Sequence, residues 1–198
     1  MYNSIDWFLT IAEQACLISL GLFLFFTASI YLSSLWGAPW VISSTETVKS
    51  MLELADLKED ELLYDLGSGD GRVLISAAQE FGAQAVGIEI DPLRCIAAKF
   101  FIWQKGQSRD AKVQWGNIYS YDISDADVVT LYLTRETNRK LRIHLETQLS
   151  EGTRVISNAF TIPGWTPTKI DNRNLLFMYI VGSTGESIIT DFVTYDQN

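Results

Sequence analysis

A chain of 198 residues with a formal charge of −9 is long enough for one α/β domain of ordinary size plus an appendage, and it needs no covalent staples to fold. Its Lys and Arg form no clustered stripe, which argues against a nucleic-acid partner and favours a cationic target. Cys16 lies in an apolar run and Cys95 in a helical pattern, so they suggest neither a disulfide framework nor a metal site, and a reducing compartment is compatible.

The first element is apolar. Residues 15–35 contain no charge, and a helix over them spans about 31 Å, close to the ~30 Å hydrocarbon thickness of a bilayer. Trp7 on one side and Tyr31, Trp36 and Trp40 on the other stand like interfacial aromatics. A cleaved signal peptide fits poorly, because Asp6 and Glu13 occupy the region that would be basic. The expectation is a single-pass transmembrane anchor in the lipid bilayer over residues 1–38, followed by a globular domain over residues 39–198. No Lys or Arg precedes Lys49, so charge does not orient the span.

Beyond it, Ser43-x-x-Glu46 has the form of a capping box, and Val48, Met51, Leu52 and Ala55 follow at helical spacing. Leu62-Leu63-Tyr64 reads as a buried strand running into Asp65-Leu66-Gly67-Ser68-Gly69-Asp70-Gly71-Arg72. Val73, Leu74, Ala77, Ala78 and Phe81 continue as a helix that Gly82 stops. A dinucleotide loop has the spacing G-x-G-x-x-G, with pyrophosphate on the helix N-terminus; this chain has D-x-G-x-G-x-G. A carboxylate at Asp65 repels pyrophosphate but suits the ammonium and sulfonium of S-adenosylmethionine, with Gly67, Ser68 and Gly69 letting the ligand approach the main chain.

The next strand, from Gln84, ends in Glu89, about 20 residues past the loop, where an acid grips ribose hydroxyls in nucleotide-binding α/β units. Asp91-Pro92 opens a helix to about Trp103. A third strand, Lys112-Val113-Gln114-Trp115-Gly116-Asn117, brings Asn117 to where the adenine edge would lie. Residues 127–133 and 153–159 read as further strands, with a helix over residues 136–149 between them. Residues 175–181 and 187–194 read as a hairpin around Gly182-Ser183-Thr184-Gly185-Glu186.

Tyr64 to Arg72, Gly87-Ile88-Glu89-Ile90-Asp91, Ala126-Asp127-Val128-Val129-Thr130-Leu131-Tyr132-Leu133, Asn138-Arg139-Lys140-Leu141-Arg142 and Gly152-Thr153-Arg154-Val155-Ile156-Ser157 together resemble a class I S-adenosylmethionine-dependent methyltransferase. More narrowly, the chain is similar to the membrane-anchored lysine methyltransferases whose members modify the ATP synthase c subunit and the adenine nucleotide translocase. The likeness covers most of residues 39–165; the first block marks the superfamily, while Val-Thr-Leu-Tyr-Leu and Gly-Thr-Arg-Val are the specific ones. Pro39-Trp40-Val41-Ile42-Ser43 departs from the Pro-Tyr-Val-Pro-Thr of such proteins, and Asn158 stands where they tend to carry His.

The resemblance implies a Rossmann-like α/β fold, a seven-stranded, mostly parallel sheet with a C-terminal antiparallel hairpin after one N-terminal transmembrane helix. It also implies a membrane-protein substrate with an accessible lysine. Because the cofactor is made in the cytosol, the globular part is expected to face that side, or the organelle interior in a eukaryotic source. In such a sheet the acceptor pocket lies beyond strands four and five, locating Tyr132, Thr134, Ser157, Asn158 and Phe160, with Trp40 and Trp165 as flanking aromatics. Tyr132, Asn158 and Trp40 are the candidates for work on the acceptor; Tyr132 equally suits a core position, and His144 suits a structural one. A lipid or quinone methyltransferase and a non-catalytic membrane adaptor stay open beside the lysine reading.

Overall fold

The computed structural model describes residues 4–36 and 43–183, and within the first helix the side chains of Trp7, residues 9–24 and Thr27. Residues 1–39 and residues 40–198 form two compact units.

In the first unit, α1 (Ser4–Trp36) is one uninterrupted helix, longer than the charge-free run because it takes in Glu13. Its described side chains are exposed, among them Leu17, Ile18, Leu22 and Phe23. The transmembrane span expected here is not found: among the described residues no helix is long and apolar enough to cross a membrane. Tyr31, Trp36 and Trp40 lie outside the described side chains.

In the second unit, α2 (Thr45–Leu54) buries Val48, Met51 and Leu52, as its spacing predicts. Its cap is not the expected one. Ser44 is the extended residue at the helix start and its side chain accepts from Thr47 N at 3.0 Å, whereas the Ser43 carbonyl accepts from Arg72 Nη1.

The strands are β1 (Leu62–Leu66), β2 (Gln84–Glu89), β3 (Ala111–Trp115), β4 (Val128–Leu131), β5 (Arg154–Asn158), β6 (Lys169–Asp171) and β7 (Leu176–Ile180). The remaining helices are α3 (Arg72–Phe81), α4 (Pro92–Gln104) and α5 (Arg135–Gln148). The strands form one seven-stranded sheet in the order β3-β2-β1-β4-β5-β7-β6. β1 to β5 are parallel to one another, and β1 pairs β2 on one side and β4 on the other. Strand order therefore reverses beside β1, which opens a crevice past its carboxyl end. β4 is buried along its whole length, as expected of a central parallel strand covered on both faces.

The antiparallel hairpin exists but sits earlier than expected. β7 pairs antiparallel with β5 and with β6, and the chain turns over residues 172–175, where Asp171 Oδ1 accepts from Arg173 N at 2.9 Å and Asn174 N at 3.3 Å. β6 is Lys-Ile-Asp, too short to show alternation, so the sequence signal fell on β7 alone. The second expected arm, residues 187–194, lies outside the described residues. Arg154, opening β5, closes the far end of the sheet: it donates to Glu61 Oε1 at 2.6 Å and to the Ala55 and Asp56 carbonyls at 2.9 Å.

Candidate cofactor and acceptor site

The glycine loop leaves the carboxyl end of β1 and folds onto its neighbour. Gly67 N and Ser68 N both donate to the Ile88 carbonyl of β2, at 2.8 and 3.2 Å. Two glycines make this close approach possible. Gly67 has φ +89°, and a Cβ there would stand 2.9 Å from Leu133 Cδ2; a Cβ on Gly87 would stand 2.5 Å from the Ser68 side chain.

Two buried carboxylates flank the loop. Glu89 Oε2 accepts from Gly69 N at 2.8 Å and Oε1 from Asp91 N at 3.0 Å, while Arg94 Nη1 lies 4.0 Å from Oε1. Asp65 Oδ1 accepts from Thr130 Oγ1 at 2.8 Å. Burial pushes the Asp65 carboxyl up to about 7; the Thr130 hydrogen bond opposes that rise, and the charges of Glu89 and Asp70 add to it. Burial also works to raise Asp70, but its twofold pairing with Arg72, at 3.0 and 2.6 Å, outweighs that and holds it below the usual carboxylate range.

Loop and acids together fit a cation with hydroxyls attached. Negative charge accumulates at Asp65, where a ligand ammonium would relieve the cost of burial. Each Glu89 oxygen takes one N–H and a carboxylate has about four acceptor sites, so capacity is left for two hydroxyls. Ser68 Oγ is buried without a hydrogen-bond partner among the described residues, a polar atom turned toward no protein group.

Asn117 is less committed to the site than its position suggests. It lies two residues beyond β3, exposed, with Oδ1 accepting from Tyr119 N at 3.0 Å in a local turn. Gly116 N donates to the Glu89 carbonyl at 3.0 Å, so that turn still adjoins the Glu89 end of β2.

On the acceptor side, Leu131 pairs with Ser157 in the last register position of β4 and β5, so Tyr132 and Asn158 follow at neighbouring strand ends. Tyr132 is half-buried and Asn158 buried, and neither side chain hydrogen-bonds to another described residue. Phe160 is 42% exposed beside them in sequence. The other expected pocket residues are spent elsewhere. Thr134 caps α5 by accepting from Thr137 N at 3.2 Å, and Ser157 Oγ donates to the Phe160 carbonyl at 2.5 Å. Trp165 donates to Glu146 Oε1 at 2.9 Å and packs edge-on against Tyr179, which pairs with Val155 near the amino end of β5. It therefore lies away from the carboxyl ends where an acceptor would enter. Trp40 falls outside the described residues. His144 holds the Tyr121 carbonyl through Nε2 at 2.9 Å, a structural tie.

Two residues that shape the site escaped the sequence reading. Thr130 is the direct neighbour of Asp65 across the β1 and β4 pairing, so aligning the two strands would have found it. Gly87 sits inside an apolar strand, where a glycine signals close approach of another backbone.

A family model described as the ANTKMT methyltransferase domain matches residues 65–169, from the first site carboxylate into β6. The chain belongs to that family. It is an S-adenosylmethionine-dependent methyltransferase. It is 39% identical to a protein-lysine N-methyltransferase of Saccharolobus islandicus (strain REY15A), over 73% of this chain and 94% of that protein. It is 31% identical to the Xenopus laevis lysine N-methyltransferase of the ATP synthase c subunit, over 67% of this chain but only 58% of that protein. The chain superposes with TM-score 0.70 and 40% identity, over 76% of its length and 100% of the other chain, on the crystal structure of a Salinibacter ruber RNA methyltransferase in complex with S-adenosyl-L-homocysteine. A Thiobacillus denitrificans methyltransferase with S-adenosyl-L-homocysteine, at TM-score 0.53 and 20% identity over 65% of this chain and 52% of that one, shares the fold.

Proposed function

We propose that this enzyme methylates a lysine side chain of a membrane protein. Asp65, Gly67, Ser68, Gly69, Glu89 and Asn117 hold S-adenosylmethionine, which supplies an electrophilic methyl group. Tyr132 and Asn158 meet the acceptor. The observation that carries the reading is the pair of polar side chains, Tyr132 and Asn158, uncommitted among the described residues, at adjacent strand ends past the glycine loop. The curated relatives named as lysine methyltransferases, including those of the ATP synthase c subunit and of adenine nucleotide translocase, support it.

The acceptor amine must arrive neutral. One C–N bond forms as the C–S bond breaks in line, and the proton leaves before attack, so alignment and desolvation matter more than covalent help. A lysine entering beside half-buried aromatic surface has its pKa drawn down from about 10.4. Tyr132 and Asn158 orient the amine, with Trp40 as a third candidate wall.

The finer placement is also proposed: residues 39–198 carry the chemistry, on the cytosolic side. The exposed apolar side chains of α1, among them Leu17, Ile18, Leu22 and Phe23, give the first unit an apolar surface. An RNA acceptor, which the name of the Salinibacter ruber enzyme would suggest, sits badly with a charge of −9.

The test follows labelled methyl from the cofactor into membranes of cells with and without the gene, with mass spectrometry of lysines. Label on a membrane-protein lysine, lost when that lysine is replaced by Arg, is expected. Label only in the lipid extract or only in RNA overturns the reading.

A further inference from the structure

The loop after β5 is held by one side chain that no strand-end argument singles out. Asn138, in the first turns of α5, is fully buried. Its Nδ2 donates to Ser157 Oγ at 3.0 Å, to the Phe160 carbonyl at 3.2 Å and to the Thr161 carbonyl at 3.3 Å. Those three acceptors bracket the segment that carries Asn158 and Phe160. Within it Ala159 has φ +65°, a left-handed conformation that strains a non-glycine residue and persists only when its surroundings enforce it. Ala159 N is tied to the Leu175 carbonyl at 2.8 Å, so the turn is gripped from both sides.

The amide can face only one way. Turned over, it would set Oδ1 against two carbonyl oxygens, taking a donor from the Thr161 carbonyl and leaving the Phe160 carbonyl with Ser157 Oγ alone. In the observed orientation Oδ1 is buried without a partner among the described residues. An unpaired buried acceptor is destabilising, and a residue kept only for packing would not carry one.

We propose that Asn138 is a positioning residue for methyl transfer: its carboxamide fixes the strained turn so that Asn158 and Phe160 stand at the carboxyl end of β5, beside the end of β4. The inference rests on the acceptor site being there. Asn138 acts through the loop and touches neither substrate nor cofactor.

The experiment uses the full chain with Asn138→Asp, which keeps the size but removes the donor and sets a carboxylate against two carbonyls, and with Ser157→Ala, which removes one of the three acceptors. Hydrogen exchange at residues 159–162 reads the loop without any substrate. Transfer to a lysine substrate reads its effect, and cofactor binding by calorimetry serves as the control. Expected for Asn138→Asp is faster exchange confined to that segment, kcat for transfer down at least tenfold, and cofactor affinity within about twofold of the parent. Ser157→Ala, which loses one Asn138 bond and the hydroxyl's own bond to the Phe160 carbonyl, changes both readouts less; should Asn138→Asp fail to fold, Asn138→Ala, which deletes the donor without adding a charge, is read in its place. Unchanged exchange in a folded variant, or loss of cofactor affinity in step with rate, overturns the inference. An unaltered protein that transfers nothing to lysine, with the exchange difference intact, overturns the acceptor assignment and leaves the clamp standing.

Discussion

Thr130 Oγ1 donates to Asp65 Oδ1 at 2.8 Å, and the hydroxyl belongs to the strand residue directly across from the carboxylate. The central acid of the candidate cofactor site is thus held by its neighbour in the sheet, in a place where burial lifts it to about 7. Its ionisation and the arrival of a cationic ligand are expected to be linked.

Cofactor affinity is expected to rise with pH up to about 7 and then level off, because binding at lower pH must expel the Asp65 proton. Calorimetry between pH 5.5 and 8 in buffers of different ionisation enthalpy measures both the slope and the proton released. Thr130→Val removes the hydrogen bond that favours the ionised form, so the midpoint moves upward; a pH-independent affinity in the parent contradicts the linkage.

Stability of the ligand-free protein carries the opposite sign. Between the ordinary value of 3.8 and about 7 the folded state keeps a proton on Asp65 that the unfolded chain has lost, so stability falls as pH rises through that window. The penalty is absent below pH 4 and complete above pH 7, on the order of 4 kcal/mol at most. Asp65→Asn is expected to flatten that contribution in urea titrations and to stabilise the apo protein at pH 8, while weakening cofactor binding.

Glu89→Ala removes the acceptor of Gly69 N as well as the candidate ribose ligand. Cofactor affinity is expected to drop by about 2 kcal/mol or more, roughly 30-fold. Equal affinity in calorimetry would place the hydroxyls elsewhere.

Gly87→Ala forces a Cβ to 2.5 Å from the Ser68 side chain and 2.7 Å from Leu74 Cδ1. A loss of about 1–3 kcal/mol in stability is expected from overpacking, together with weaker cofactor binding as the loop is lifted from β2. A neutral result in thermal unfolding would mean that the loop moves freely.

Tyr132→Phe and Asn158→Ala are expected to slow transfer while leaving cofactor affinity nearly unchanged, since the groups act on the acceptor alone. Full rate in both variants on a lysine substrate moves the pocket.

What the sequence made legible followed local rules. Asp65, Glu89 and the glycines between them are set by strand ends and a turn, which spacing reports directly. Asp91 caps α4 as the Asp-Pro pair announces. Missed features depend on neighbours far along the chain. Thr130 is 65 residues from the carboxylate it holds, and Asn138 is 19 from Ser157. β6 has only three residues and exists because β7 offers it an edge. Ser44 displaced Ser43 as a cap once the Ser43 carbonyl was taken by Arg72 from across the fold.

The insertion of β7 between β5 and β6 fixes an order of assembly at the ribosome. A nascent chain that has emerged through α5 already contains every strand from β3 to β4, with both site carboxylates and the glycine loop. β5 then presents a bare edge until residues 176–180 follow it out, and β6, though made earlier, has no partner before they do. The part of the sheet that bears the glycine loop can thus be completed while β6 and β7 are still being translated, and in that interval the β5 edge is the unpaired one.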